Sequence, residues 1–202
     1  LVYMLTTTFL VASSIFFAAV IAAEPERRLV LIRNAYVASA VIVALIGILG
    51  YFGLLPDAEA FTLYGRAKGT FQDPNVFGPF LVLPLAFLAR DILMRRLRRS
   101  AWEIAWFMVI LFAIFLSFSR AAWGMSVFVI LAVAFLAAIN ERQQLVRFRI
   151  VAYLLAGAAA VSIMLAVALS IPAVSDLYVQ RAHVVQDYDD SRTGRFERQQ
   201  KG

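Results

Sequence analysis

One polar stretch decides how this chain is organised: Tyr64-Gly65-Arg66-Ala67-Lys68-Gly69-Thr70-Phe71-Gln72-Asp73-Pro74-Asn75-Val76-Phe77-Gly78-Pro79-Phe80. It gathers glycine, proline, asparagine, aspartate and two cations between long apolar runs. Such a composition predicts a structured turn that leads into a helix. The runs on either side are apolar enough to predict membrane-spanning helices.

The overall composition is typical of an integral membrane protein. Of the 202 residues, 62% are hydrophobic, against about 45–50% in soluble domains. The mean hydropathy is +0.81. The chain has no cysteine and a single histidine, His183, which excludes disulfides, thiolate chemistry and a histidine-rich metal site. The formal charge of +6 comes mainly from short loops between apolar runs, so we expect a lipid bilayer and no nucleic acid as the partner.

Six apolar runs predict an all-α, polytopic transmembrane helix bundle over residues 1–171, followed by the start of a large outer loop over residues 172–202. About 20 residues cross a bilayer, and the predicted spans cover residues 1–23, 29–52, 75–90, 101–117, 121–139 and 150–171. Because the chain starts without a methionine and ends in a polar stretch, we expect it to be part of a longer polytopic protein.

Two of the spans carry residues that bear on packing. The third span is short and contains Pro79 and Pro84, which predict a kinked or partly re-entrant helix whose freed carbonyls are satisfied by protein or a cavity. In the second span, glycines recur at every third residue and predict the close approach of a neighbour; they are Gly47, Gly50 and Gly53. Arg33 lies near the start of that span and is predicted to anchor in the lipid headgroups.

The loop cations predict the orientation of the chain. Among the short loops, ten arginines lie in one alternate set, whereas the other set contains only Arg66, Lys68 and Arg120. Cytoplasmic loops carry the excess of Lys and Arg. Residues 53–75, 118–120 and 172–202 are therefore predicted to share the outer side of the membrane.

The cations on the outer side are candidates for a binding site. Arg66 and Lys68 precede a glycine and a helix start, where an arginine fork and free backbone N–H groups favour an anion; two headgroup anchors are the alternative. Arg120 lies in a three-residue turn between two spans and either faces a pocket or anchors in lipid. Asp73 and Asn75 flank a proline, a pattern that fits plain turn and N-cap chemistry as well as a site.

The tail is rich in charge but offers no assignable catalyst. Asp187, Asp189 and Asp190 fall within four residues, which fits either a solvated acidic turn or oxygen ligands for a divalent cation. His183 lies on a polar loop, and no residue in the sequence is placed to orient it as a base. Neither a catalytic residue nor a metal site is assigned.

Two turns resemble the O-antigen ligase/polymerase-like membrane family. They are Arg66-Ala67-Lys68-Gly69-Thr70-Phe71-Gln72-Asp73-Pro74-Asn75-Val76-Phe77-Gly78 and Leu116-Ser117-Phe118-Ser119-Arg120-Ala121-Ala122-Trp123-Gly124. That family carries an Arg-x-x-Gly-x-Phe-x-x-Pro-Asn turn that enters a helix, then a Ser-Arg-Gly/Ala turn between two helices. It continues with a large outer loop containing a Gly-Arg pair, which Gly194-Arg195 resembles.

The resemblance implies a glycosyltransferase that moves a glycan from an undecaprenyl-diphosphate carrier to lipid A-core, a growing polysaccharide or a protein. The reaction would take place at the periplasmic face of the bacterial inner membrane, without a metal or cofactor. Arg66 and Arg195 would bind the donor diphosphate, and Arg120, at a matching motif position, is grouped with them. The supporting turn would comprise Lys68, Gly69, Asp73 and Asn75. The family's histidine base would lie beyond Gly202, so we expect the 202-residue chain alone to be inactive.

Two functions from other classes remain open. A transporter or channel component would also contain proline-broken spans and boundary cations, but it predicts a matching broken helix in a second half, and the sequence offers only the one around Pro79 and Pro84. A non-catalytic assembly subunit would lose no activity when Arg66 is replaced by alanine. Within the enzyme hypothesis, a metal-dependent transferase that uses the tail aspartates would be sensitive to chelators.

Overall fold

The computed structural model describes residues 2–94, 101–172, 174–175 and 178–179. Over these residues the chain forms six α-helices, with a short 3-10 helix and a two-residue hairpin between the second and third. The α-helices are α1 (Val2–Ala23), α2 (Pro25–Tyr51), α3 (Pro74–Met94), α4 (Ala101–Leu116), α5 (Arg120–Asn140) and α6 (Gln144–Leu169). The prediction of an all-α helical bundle is confirmed.

The helices have the lengths that a multi-pass membrane protein needs. Within the described ranges, five of them are long and apolar enough to cross a bilayer, and α4, with 16 residues, is shorter. Some helices extend past the predicted spans. Helix α2 begins at Pro25 and α6 begins at Gln144, whereas the predicted spans began at residues 29 and 150. Hydropathy detects only the apolar, lipid-facing part of a helix. Polar residues at the helix ends continue the same backbone hydrogen bonds, so the helix is longer than its apolar run.

Helix α3 lies at the centre of the bundle. It runs unbroken for 21 residues through Pro79 and Pro84, so the helix is longer than the predicted span over residues 75–90, and its kinked or partly re-entrant course stays a prediction. A proline at position 84 cannot donate to the carbonyl of Phe80, and the hydroxyl of Tyr36 on α2 donates to that carbonyl instead, at 2.8 Å. As predicted, another protein group satisfies a carbonyl that a proline frees.

Helix α2 approaches its neighbours closely at two of its three spaced glycines. A Cβ at Gly47 would lie 2.8 Å from Cζ of Phe77, and one at Gly50 would lie 2.4 Å from Cβ of Phe61. Gly53 has nothing within 4 Å and instead adopts a φ of +69° just past the helix end. The glycine spacing therefore predicted a close approach correctly for Gly47 and Gly50 only.

Arg33 forms an ion pair and is not a lipid anchor. Its Nη2 contacts Oδ2 of Asp91, whose side chain is 8% exposed, so the pair joins α2 to α3. Nη1 of the neighbouring Arg90 lies 3.9 Å from Oδ1 of the same carboxylate. The prediction of an anchor was wrong because hydropathy along α2 contains no information about the acidic residue that α3 brings alongside.

Candidate functional site

The loop after α2 contains a tight hairpin that sets the position of Arg66. Strand β1 (Thr62–Leu63) pairs antiparallel with strand β2 (Arg66–Ala67), with Leu63 opposite Arg66. The two connecting residues, Tyr64 and Gly65, have φ values of +50° and +71°. Positive φ at both positions is the geometry whose twist suits a two-residue hairpin. The hairpin reverses the direction of the chain within two residues, and both residues of β2 are buried.

A glycine and a capped helix start follow the hairpin. Gly69 has a φ of +55°, and a Cβ there would lie 3.0 Å from Cε2 of Phe77 and 3.2 Å from the carbonyl oxygen of Val43. Asp73 precedes α3, and its Oδ1 accepts a hydrogen bond from the backbone N–H of Asn75 at 2.6 Å. This is the N-cap role that the sequence left open for Asp73. The turn is therefore fixed by backbone geometry at one end and by a cap at the other.

The turn between α4 and α5 is a second tightly built element. Ser117 donates through Oγ to the carbonyl of Ile114 at 2.6 Å and accepts from the backbone N–H of Ser119 at 3.3 Å. Phe118 is 2% exposed and has a φ of +46°, which costs a non-glycine residue about 1–2 kcal/mol. Ser119 caps α5 by accepting from the backbone N–H of Ala122. Such a backbone conformation persists only where the surroundings hold it.

Arg66 joins the two elements. Its side chain is buried, with 7% of the residue exposed. Nε donates to the carbonyl oxygen of Ser117 at 2.9 Å, and Nη2 donates to Oδ1 of Asn75, also at 2.9 Å. One guanidinium thus connects β2 to the start of α3 and to the end of α4, bridging residues that are 51 positions apart in the sequence.

Gly78 lets α3 pack directly against the α4–α5 turn. A Cβ at this position would lie 2.7 Å from Cβ of Ala122 and 2.9 Å from Oγ of Ser117. Neither Gly78 nor Ser117 was among the predicted site residues. A glycine inside a helix lowers helix stability by about 1 kcal/mol relative to alanine. A glycine within a predicted helix therefore indicates a packing reason such as a close contact, and this was the sequence signal for Gly78. The acceptor role of Ser117 has no sequence signal, because it uses a backbone carbonyl.

Aromatic rings pack around the same turn. Trp123 stacks on Phe115 at 5.7 Å between ring centroids and on Tyr178 at 6.1 Å. Its Nε1 donates to the carbonyl of Ile114 at 3.2 Å. Tyr178 follows α6, and Val174, which precedes it, is fully buried. The chain after α6 therefore returns to the end of the bundle that carries the hairpin, here called the hairpin end (residues 53–75 and 117–120).

The structure brings together most of the residues that the sequence nominated. Arg66, Asn75 and the turn that bears Arg120 meet at the hairpin end. Arg120 is the first residue of α5 and is exposed, whereas Lys68 is half-buried. Arg195, His183 and the three tail aspartates lie outside the described residues. In the part of the chain that is described, no group of three or more acidic or histidine side chains could hold a metal ion.

The hairpin end contains charges of both signs. Its cations are Arg66, Lys68 and Arg120, and an equal number of carboxylates belong to Asp57, Glu59 and Asp73. The exposed Arg120 is the first residue of α5, where the helix dipole favours an anion. No protein-family model, no curated protein and no solved structure matches this chain.

Proposed function

We propose that the protein is a membrane glycosyltransferase of the O-antigen ligase/polymerase type. It transfers a glycan from an undecaprenyl-diphosphate carrier to lipid A-core, a growing polysaccharide or a protein. The observation that carries the proposal is the bridge through Arg66. It ties the Arg-x-x-Gly-x-Phe-x-x-Pro-Asn turn to the Ser-Arg turn through the carbonyl of Ser117, so the two turns that carry the resemblance form one unit.

The chemistry of a lipid diphosphate fits the position of this unit. Such a donor keeps its hydrocarbon in the bilayer and its phosphates at the boundary, and the hairpin end lies at the ends of apolar helices α2, α3, α4 and α5. When the glycosidic bond breaks, negative charge develops on the diphosphate leaving group. Fixed cations aimed at that charge lower the barrier without a metal or cofactor. Arg66, Arg120 and Lys68 are the candidate cations at this end, and Arg195 is the fourth predicted one.

The loop charges favour a periplasmic location for the hairpin end, at the inner membrane of a bacterium. The opposite end of the bundle contains the basic residues of the α5–α6 connection, among them Arg142, which is exposed. Arg142 is the natural control for charge, because it is also an exposed arginine at a helix end but lies in the set of loops assigned to the cytoplasm.

The test uses the full-length protein in lipid nanodiscs, supplied with an undecaprenyl-diphosphate glycan and candidate acceptors in EDTA. Wild type and Arg142→Ala should transfer the glycan at similar rates. Arg120→Ala should lower kcat by about 100-fold, the usual effect of removing one group that stabilises developing charge. Absence of transfer by wild type, with the donor intact and all three acceptor classes present, would refute the proposal and leave a transporter or an assembly subunit.

A further inference from the structure

We infer that Arg66 is a positioning residue: it holds the turn that presents Arg120, and the Arg120 guanidinium is the one that contacts the anionic phosphates. This inference rests on the proposed function. It separates two arginines that the sequence grouped together as ligands of the diphosphate.

The first argument is the use that Arg66 makes of its guanidinium. Nε and Nη2 form one of the two sides of the planar group that can bind two oxygens of a phosphate or carboxylate in parallel. In this protein that side binds two protein oxygens, one from Ser117 and one from Asn75. Both bonds are 2.9 Å long, so neither oxygen is loosely held. A phosphate could use this side of Arg66 only by displacing both.

The second argument is the position of the acceptor from Ser117. Helix α4 ends at Leu116, so the carbonyl of Ser117 lies at the helix C-terminus, where carbonyls lack partners within the helix and the dipole is negative. A cation is stabilising at that place. The bond therefore fixes the end of α4, and from there only Phe118 and Ser119 separate Ser117 from Arg120.

The third argument is that this short connection has little freedom to relocate Arg120 independently. The buried ring of Phe118 holds one residue in a left-handed conformation, and Ser119 caps α5. Gly78 of α3 packs closely against Ser117 and Ala122 at the two ends of this connection. A shift of the Ser117 carbonyl is thus transmitted through two constrained residues to the start of α5. A misplacement of about 1 Å is enough to reduce an oriented contact by a large factor.

Binding of undecaprenyl diphosphate to the full-length protein in nanodiscs tests the inference in a double-mutant cycle. Arg66→Ala and Arg120→Ala should each weaken binding by at least about tenfold, as expected for a hydrogen bond to a charged group. In the Arg120→Ala background, Arg66→Ala should change the affinity by less than about twofold, because its effect passes through Arg120. Multiplicative losses in the double variant would overturn the inference, as would full affinity in Arg120→Ala.

Lysine variants separate charge from positioning. Arg120→Lys should keep part of the affinity, because an ammonium still attracts phosphate. Arg66→Lys should lose as much as Arg66→Ala, because one ammonium on a flexible stem does not reproduce a planar fork that reaches Ser117 and Asn75 together. If Arg66→Lys retained more affinity than Arg120→Lys, Arg66 would be the direct ligand.

Asn75 offers a test that leaves Arg66 in place, in case Arg66 variants fail to fold. If Arg66 positions the turn, Asn75→Ala should weaken binding, and Asn75→Asp, which keeps the acceptor, should restore it. If Arg66 were the ligand, Asn75→Ala would free its fork and preserve or raise the affinity, which would overturn the inference. Carrier binding without glycan transfer would refute the proposed function alone, and the cycle on binding would still decide the role of Arg66. No carrier binding by wild type would refute both.

Discussion

Replacement of Gly78 by alanine measures how tightly α3 is pressed against the α4–α5 turn. The added methyl group would lie 2.7 Å from Cβ of Ala122 and 2.9 Å from Oγ of Ser117, and neither neighbour is the far end of a flexible side chain. Forcing a group into such a contact costs about 1–3 kcal/mol. The gain in helix propensity from glycine to alanine returns about 1 kcal/mol. The net effect on the free energy of unfolding should be a loss of about 0–2 kcal/mol.

The matched control is Gly124→Ala on α5, two residues beyond Ala122. Gly124 is also inside a helix, but a Cβ there meets nothing within 4 Å. This variant should gain up to about 1 kcal/mol from propensity alone. The predicted gap between the two alanine variants is therefore about 1–3 kcal/mol, which is larger than the net change in either one.

The gap can be measured by SDS titration of the protein in mild detergent, followed by circular dichroism and by tryptophan fluorescence. Trp123 packs against the turn and should report its displacement. Gly78→Ala should also transfer glycan more slowly than Gly124→Ala, since it moves the turn that presents Arg120. Equal or greater stability of Gly78→Ala relative to Gly124→Ala would refute the close packing on which this reasoning depends.

Two further predictions concern the contacts between α2 and α3. Arg33→Ala should destabilise the protein by up to about 3 kcal/mol, because the buried carboxylate of Asp91 keeps only its 3.9 Å contact with the exposed Arg90. Arg33→Ala combined with Asp91→Ala should cost less than the sum of the single changes in an unfolding cycle. Tyr36→Phe should lower the free energy of unfolding by about 0.6 kcal/mol, the average for a hydrogen bond between membrane helices. This loss should nearly vanish in a Pro84→Ala background, because the backbone N–H of residue 84 can then bond the carbonyl of Phe80. Equal costs of Tyr36→Phe in both backgrounds would contradict this account.

The all-α fold could be predicted from the sequence because the bilayer leaves few alternatives. A chain in hydrocarbon must satisfy its backbone internally, so long apolar runs in this sequence can only be helices. The Asp73 cap and the close approach at Gly47 were also predictable, because both depend on short-range patterns in the sequence. The unbroken course of α3 could not be predicted in this way. Whether a proline breaks a membrane helix depends on a partner for the freed carbonyl, and here that partner is the Tyr36 hydroxyl, 44 positions before Phe80 in the sequence.

Residue roles were harder to predict than residue positions. The sequence placed Arg66, Asn75 and Arg120 on one side of the membrane, but it could not assign the acceptors of each guanidinium. The deciding contacts of Arg66 and Arg33 join residues 51 and 58 positions apart, and one of them ends on a backbone carbonyl, which leaves no trace in the side-chain pattern. Tertiary packing alone supplies that information.

Arg33 and Arg66 show how this protein uses arginine in two ways at the two ends of the bundle. At the end opposite the hairpin, Arg33 meets a carboxylate, and a paired charge of this kind joins two helices without attracting a ligand. At the hairpin end, the acceptors of Nε and Nη2 of Arg66 are neutral oxygens, so these two bonds order the turn without cancelling positive charge. The charged residues of the hairpin end balance in number, because Arg66, Lys68 and Arg120 are matched by the acidic residues Asp57, Glu59 and Asp73. Under the proposed function, binding of a membrane-anchored diphosphate would therefore depend on the ordered turn and on the local position of Arg120 at the start of α5, and not on an excess of positive charge at this end.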